Sequence, residues 1–208
     1  NANTQISTRT GTSQTFTTPS AVPCSGTSIS SFPYSESFES GLGLWTQDNG
    51  DDFNWTRQLE NTGQTNGSTA SGNTGPDGAS SGSYFLYTEA SGPNFPNKTA
   101  RLISPCLDFT GRENAALSFD YHMFGGFIGV LKIDVSIDNG LTYTTLTDYT
   151  LSGNQQNSHV EAWKTQSVDL SLYDGQSVKV RFSATTSPDG NGWQGDISID
   201  NFGIMSDE

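Results

Sequence analysis

Of 208 residues only two are cysteine and two histidine, and nine lysines and arginines stand against 22 aspartates and glutamates. Each scarcity excludes something. A net charge of −13 repels a phosphate backbone instead of drawing on counterion release, so nucleic acid is not an expected partner. The same charge disfavours anionic membranes, and no apolar run approaches the roughly 20 residues that a membrane-spanning helix needs. Two histidines cannot build a three-histidine zinc site. No HExxH is present and no glycine-rich loop leads into a helix, so zinc hydrolysis and nucleotide chemistry lack their parts. With so few histidines, Cys24 and Cys106 are also too few for a thiolate metal site. A disulfide between them is expected in an oxidising compartment, closing a long loop and contributing about 4–5 kcal/mol on the chain-entropy model. Two buried free thiols are the alternative. The chain opens on "NANTQIS", without a basic patch followed by an apolar run, so any export signal is expected to have been removed or to lie outside it.

What the sequence does have is alternation. Residues 1–30 are dominated by Thr, Ser, Gly, Asn and Pro and read as a flexible tail that cannot bury enough surface to order itself. The domain is expected over 31–208. In "LSFDYHM", Leu117, Phe119, Tyr121 and Met123 share one face while Ser118, Asp120 and His122 share the other. "VLKIDVSI" repeats the pattern with Leu131, Ile133, Val135 and Ile137, "VKVRFSA" with Val178, Val180, Phe182 and Ala184, and "GDISIDNFGIM" with Ile197 and Ile199. Short strands between Gly, Asn and Asp turns, with no convincing amphipathic helix, predict an all-β fold of two antiparallel sheets packed face to face.

Few motifs suggest chemistry. "SIDNGLTY" (136–143) is similar to the Asp-box repeat of sialidases and related propellers, but it occurs once, and Asp138, Asn139 and Gly140 predict a tight turn. "GASSG" (78–82) fits the nucleophile-elbow pattern around Ser80 without the strand and helix such an elbow requires, so a loop is expected. Asp120 and His122 fall on one face, expected to be exposed or semi-exposed, with no partnered nucleophile. Carboxylate pairs such as Glu36 and Glu39 arise by chance in an acidic chain. An enzyme is therefore not the expected reading.

In "DNGDDFNWTR" (48–57), three carboxylates run straight into Phe53 and Trp55. Together with "FESGLGLW", "TGPDGASSGSYFLYTEAS" (74–91), "TARLISPCLDF" (99–109), "LSFDYHMFG" (117–125) and "GWQGDISIDNFGI" (192–204), it resembles the MAM domain. That family is named for meprins, neuropilins and receptor tyrosine phosphatases. The likeness covers about residues 32–205, and its style is closest to MAM-like modules of secreted bacterial proteins. It implies a jelly-roll-like β-sandwich outside the cell. Animal members usually carry four cysteines, so their pairing is not carried over. The resemblance, extended to related jelly-roll carbohydrate-binding modules, implies a structural calcium ion joining the first strand region to the last, with Glu39 and Asp200 as ligands. Asp51 or Asp52 would complete the set, because clustered carboxylates repel one another unless a cation offsets them and oxygen ligands suit Ca²⁺. Asp48 and Asp196 are lesser candidates. A solvated acidic loop is the alternative.

Binding is then the expected task. Phe95, Phe127, Trp163 and Trp193, with Tyr87, are the aromatics able to stack on a sugar ring. Core packing competes for Trp163 and Trp193, whereas Phe95 and Phe127 sit among Gly, Pro and Asn. The leading expectation is a noncatalytic polysaccharide-binding module appended to a secreted hydrolase, lyase or protease. A cell-adhesion or protein-interaction module, as the resemblance implies for animal members, is the second. A stand-alone enzyme is the third. Net charge favours neutral or cationic sugars, since an anionic polysaccharide would need a basic patch. Lys98, Arg101, Lys132, Lys164, Lys179 and Arg181 are available for one, but the sequence does not show whether they cluster. The sequons at Asn54, Asn66 and Asn97 matter only in a eukaryotic secretory pathway.

Overall fold

The computed structural model describes residues 24–59 and 72–208. In chain order its strands are β1 (Ser28–Ile29), β2 (Tyr34–Glu36), β3 (Thr46–Gln47), β4 (Thr56–Leu59), β5 (Tyr84–Thr88), β6 (Thr99–Ile103) and β7 (Cys106–Asp108). They continue with β8 (Glu113–His122), β9 (Val130–Ser136), β10 (Thr144–Thr145), β11 (Leu151–Ser152), β12 (Lys164–Asp169), β13 (Ser177–Thr185) and β14 (Ile197–Asp207). Three single-turn 3₁₀ segments are the only helices among the described residues. One sheet runs β9–β13–β6–β3, with β7 and β1 continuing the β6 edge and β10 and β11 on the far side of β9. The other runs β12–β8–β14–β5–β4, with β2 also on β14. All pairs are antiparallel except β1 with β7. The fold is the expected jelly-roll-like β-sandwich.

Alternation decides which side chains enter the core. Leu117, Phe119, Tyr121 and Met123 of β8 and the loop after it are buried, as are Leu131, Ile133 and Val135 of β9 and Val178, Val180, Phe182 and Ala184 of β13. Where the sheets meet, the Phe182 ring lies 4.8 Å from Phe119 and 5.7 Å from Trp45, and Trp45 lies 4.6 Å from Phe202. Edge-to-face and offset contacts of this kind add to plain area burial. Ile137 departs from expectation. β9 ends at Ser136, so Ile137 stands one residue beyond the pleat and is exposed.

Of the expected tail over 1–30, residues 1–23 lie outside the described residues, as does the sequon at Asn66. The remainder is fastened to the sandwich. Cys24 is bridged to Cys106, 82 residues away, and Ser28 and Ile29 pair with Cys106 and Leu107. At the "SIDNGLTY" turn, Asn139 and Gly140 both take positive φ. Asp138 accepts hydrogen bonds from the Ser136 hydroxyl (2.7 Å) and the Thr142 backbone N–H (2.8 Å). Hydrogen bonds from Thr142, then Ser136, hold its carboxyl down at about 2. A turn is what this motif builds.

Candidate binding site

The acidic stretch after Gln47 clamps the start of β6. Asp48 N–H donates to the Arg101 carbonyl (3.1 Å), and Asp52 N–H to the Thr99 carbonyl (2.9 Å). The Asp51 carboxylate accepts from Arg101 N–H, while Asp52 accepts from Thr99 N–H (2.8 Å) and Lys98 Nζ (3.0 Å). Those donors hold the Asp52 carboxyl below its ordinary range. Burial, with Asp48 and Asp52 adding, pushes Asp51 up. Trp55 is buried and Phe53 packs against the core. The carboxylates crowd the aromatics because the aromatics fix the strap while the carboxylates grip neighbouring backbone N–H groups.

Glu39 and Asp200 hold a different segment. Glu39 accepts from Ser83 N–H (3.0 Å) and Tyr84 N–H (2.8 Å), and Asp200 from Ser80 N–H (2.9 Å) and Ser81 N–H (3.0 Å). Gly82 lies so close to the Glu39 carboxylate that a Cβ there would sit 2.6 Å from its carboxyl carbon. Asp196, fully buried, accepts from Ala90 N–H. Glu39, Asp51, Asp52 and Asp200 are thus committed to backbone donors on two separate stretches. Among the described residues, no three His, Cys, Asp or Glu side chains are grouped so as to hold a metal ion. The four carboxylates as arranged do not fit one calcium ion.

The segment that Glu39 and Asp200 grip covers the outer face of the β8–β14 sheet. Asp120 and Asp200 face each other across the two strands, and so do His122 and Ser198. Ser80 of "GASSG" is in a loop, as expected, and its hydroxyl donates to Asp120 (2.6 Å). His122 was expected on an exposed face but is fully buried, its ring 5.7 Å from Trp163. Trp163 also lies 5.7 Å from Phe85 and donates Nε1–H to the Gly78 carbonyl (3.0 Å). This aromatic serves as part of the cover. Tyr87 is buried too. Neither His122 nitrogen nor the Ser198 hydroxyl has a hydrogen-bond partner among the described residues. The Glu161 backbone and carboxylate both act on His122 to favour its charged form.

Burial pushes His122 down from 6.5 to about 4, against the pull of Glu161. Burial, with Asp120 adding, pushes Asp200 up to about 6. The signs oppose. A histidine depressed in the folded state contributes stability that is lost as pH falls from 6.5 toward 4, whereas the raised carboxyl gains over its own window. His122→Gln removes the first effect alone. The stability difference between wild type and His122→Gln is therefore expected to shrink by about 2–3 kcal/mol between pH 7 and 4.5, at about 1.4 kcal/mol per unit. Urea titrations at both pH values measure it, and a difference that does not change with pH would contradict the burial of a neutral imidazole.

Three of the four selected aromatics meet at one end of the sandwich. The turn after β5 carries Phe95, the turn after β8 carries Phe127, and the turn before β14 carries Trp193. Phe127 N–H donates to the Gln194 carbonyl (3.0 Å), and Asn97 N–H to the Ser187 carbonyl (3.2 Å). A Cβ on Gly192 would lie 3.1 Å from the Phe95 Cβ. Phe95 and Phe127 are half-buried, and Trp193 is 41% exposed. Sequence reading named these residues but had no means of joining them. It also left unjoined Arg101, Lys132 and Arg181, which the structure gathers on the open face of the β13 sheet. The available signal was their alternation with core residues of β6, β9 and β13.

The family model described as "MAM domain, meprin/A5/mu" matches residues 37–208. The chain is 34% identical over 182 residues to MAM domain-containing glycosylphosphatidylinositol anchor protein 2 of Homo sapiens, covering 82% of this chain and 18% of that protein. It is 31% identical over 166 residues to Neuropilin-1a of Danio rerio, covering 78% and 16%. The chain thus spans less than a fifth of the length of these relatives. Among solved structures it is similar to the K1 cleaved adhesin domain of Lys-gingipain from Porphyromonas gingivalis W83, with a TM-score of 0.58 and 19% identity, covering 86% of this chain and all of that one. It is also similar in fold to TmCBM61, solved with β-1,4-galactotriose, with a TM-score of 0.50 and 15% identity, covering 82% and 94%.

Proposed function

From the premise that this chain belongs to the MAM domain family, we propose that it is a noncatalytic extracellular module that holds a glycan at its aromatic loop end. The observation that carries this reading is Trp193, an indole 41% exposed beside a turn that packs on Phe95. A large apolar ring kept in water costs hydration free energy, and stacking on the C–H face of a sugar would recover it, while the indole N–H donates to a hydroxyl. Neighbouring turns rich in Asn, Gln and Ser supply further polar contacts. Likeness in fold to a galactotriose-bound module and to a bacterial adhesin domain supports the reading. A secreted bacterial hydrolase, lyase or protease as parent belongs to the same proposal. The bridge between Cys24 and Cys106 suits an oxidising compartment. No helix among the described residues is long and apolar enough to cross a membrane.

Native affinity electrophoresis of the whole chain against neutral galactans and xylans tests this reading. Wild type is expected to be retarded by at least one polymer, and Trp193→Ala to lose about tenfold in affinity, the scale of one stacking contact. Equal retardation of both proteins would remove Trp193 from the site. No retardation by any neutral polymer would favour the second reading, a protein-interaction module, which the sequence likeness to animal MAM proteins supports.

A further inference from the structure

The open face of the β13 sheet gathers cations. Strand alternation opposite the core turns Arg101, Lys132, Lys179 and Arg181 to one side. Those are four of the nine cations in a chain of net charge −13. Register places Arg101 and Lys132 on either side of Ser183, in one row across β6, β13 and β9. The row spans roughly 10 Å, two interstrand spacings. In the next row Arg181 faces Asp134. Arg101, Lys132 and Arg181 line a groove of about 240 Å³ whose remaining walls, apart from Asp134, are the hydroxyl side chains Thr99, Thr145, Ser183 and Thr185.

The centre of the groove is fixed in advance. Asp134 is 2% exposed and accepts from Arg181 Nε (3.0 Å) and Nη2 (2.9 Å), from Ser183 Oγ (2.7 Å) and from Thr145 Oγ1 (2.6 Å). The other face of the Arg181 guanidinium system is supported by the Tyr143 ring, 3.8 Å away. A guanidinium held on two sides loses little freedom when it receives a ligand; Asp134 takes its Nε and Nη2, so Nη1 is the group that donates to a carboxylate or sulfate oxygen. Arg101 is 3.6 Å from the Asp48 carboxylate, a half-buried pair at the long end of ion-pair distance. Lys132 is exposed and forms no ion pair among the described residues.

We propose that this groove binds an acidic polysaccharide, whose carboxylate or sulfate groups lie against Arg101, Lys132 and Arg181 while its hydroxyls meet the Thr and Ser walls. A protein partner fits poorly, because the core of a protein interface is apolar and aromatic, and this groove contains no Leu, Ile, Val, Met or aromatic lining. Nucleic acid fits poorly as well, because the groove lining has no aromatic ring on which a base could stack. The site does not use the aromatic loop end, so either proposal can fail without the other.

The test is calorimetric titration of the whole chain, at low ionic strength, with polygalacturonate, a sulfated galactan, neutral galactan and polyglutamate. One or both acidic polysaccharides are expected to bind, more weakly as salt rises. The preferred one identifies carboxylate or sulfate as the group read. Lys132→Glu and Arg101→Gln are each expected to lose about tenfold in affinity, as removal of a charge-assisted contact predicts. Trp193→Ala should bind as wild type does. Both cation variants alter exposed or half-exposed side chains, and unchanged melting temperatures would confirm that they fold. The proposal is overturned if neither acidic polysaccharide binds, if Lys132→Glu binds unchanged, or if polyglutamate binds as tightly.

Discussion

Replacing Phe182 with Ala is expected to lower stability by about 3–5 kcal/mol. The ring is fully buried on β13 and touches partners from both layers: Phe119 of β8, Trp45 of the segment before β3, and Phe202 of β14. Removing it deletes contacts to three rings and leaves a void that they cannot close, since each is fixed by its own strand or turn. Phe182→Leu keeps much of the volume and should cost clearly less. Urea denaturation with an unchanged slope would report the loss as stability alone. A loss under about 1 kcal/mol would mean that the interlayer cluster can repack and is not the centre of the fold.

The second large effect is expected from the bridge. Cys24→Ser with Cys106→Ser, or reduction of the wild-type protein, should cost about 4 kcal/mol, because the cross-link closes a loop of 82 residues that the unfolded chain otherwise explores freely. The same cross-link holds residues 24–29 beside β7, where only two residue pairs join β1 to its neighbour. Two pairs cannot hold a strand on their own, so amide exchange at Ser28 and Ile29 should rise in the double variant while β13 and β14 stay protected. Equal unfolding midpoints for oxidised and reduced protein would show that the bridge adds nothing to the described fold. Sequence reading expected the pairing from the count of cysteines. It also placed residues 24–30 in a flexible tail on their Ser- and Thr-rich composition, although the pairing it expected tethers that segment at Cys24.

How far the candidate sites could be read follows the same division. Phe95, Phe127 and Trp193 were selected one at a time from their residue type and flanking turns. Their common end of the sandwich depends on how three turns, far apart in sequence, are brought together by β5, β8 and β14. Glu39 and Asp200 were grouped by what the resemblance implied, and Asp51 or Asp52 was added because clustered carboxylates repel one another unless a cation offsets them. In the fold, backbone N–H groups of residues 80–84 and 99–101 donate to these carboxylates. A chain of letters cannot show this, because an available N–H is a matter of which peptide groups strand pairing leaves free. His122 is the sharpest instance. Its parity with Asp120 is correct, yet a cover formed by residues 72–83 and Trp163 buries a face that alternation alone assigns to water.

By itself the sequence determined the class of fold and, along β8, β9, β13 and β14, the alternation that sends Leu117, Ile133, Val180 and Ile199 into the core. Those follow from a period of two, which is covalent geometry and needs no distant partner. It also determined the turn at Asn139 and Gly140, where local conformational preference suffices. The tertiary structure alone decided what lies over each outer face, which carboxylate meets which donor, and that Arg101, Lys132 and Arg181 share one groove. These are relations between residues tens of positions apart, set by strand order and register, and no local rule carries them.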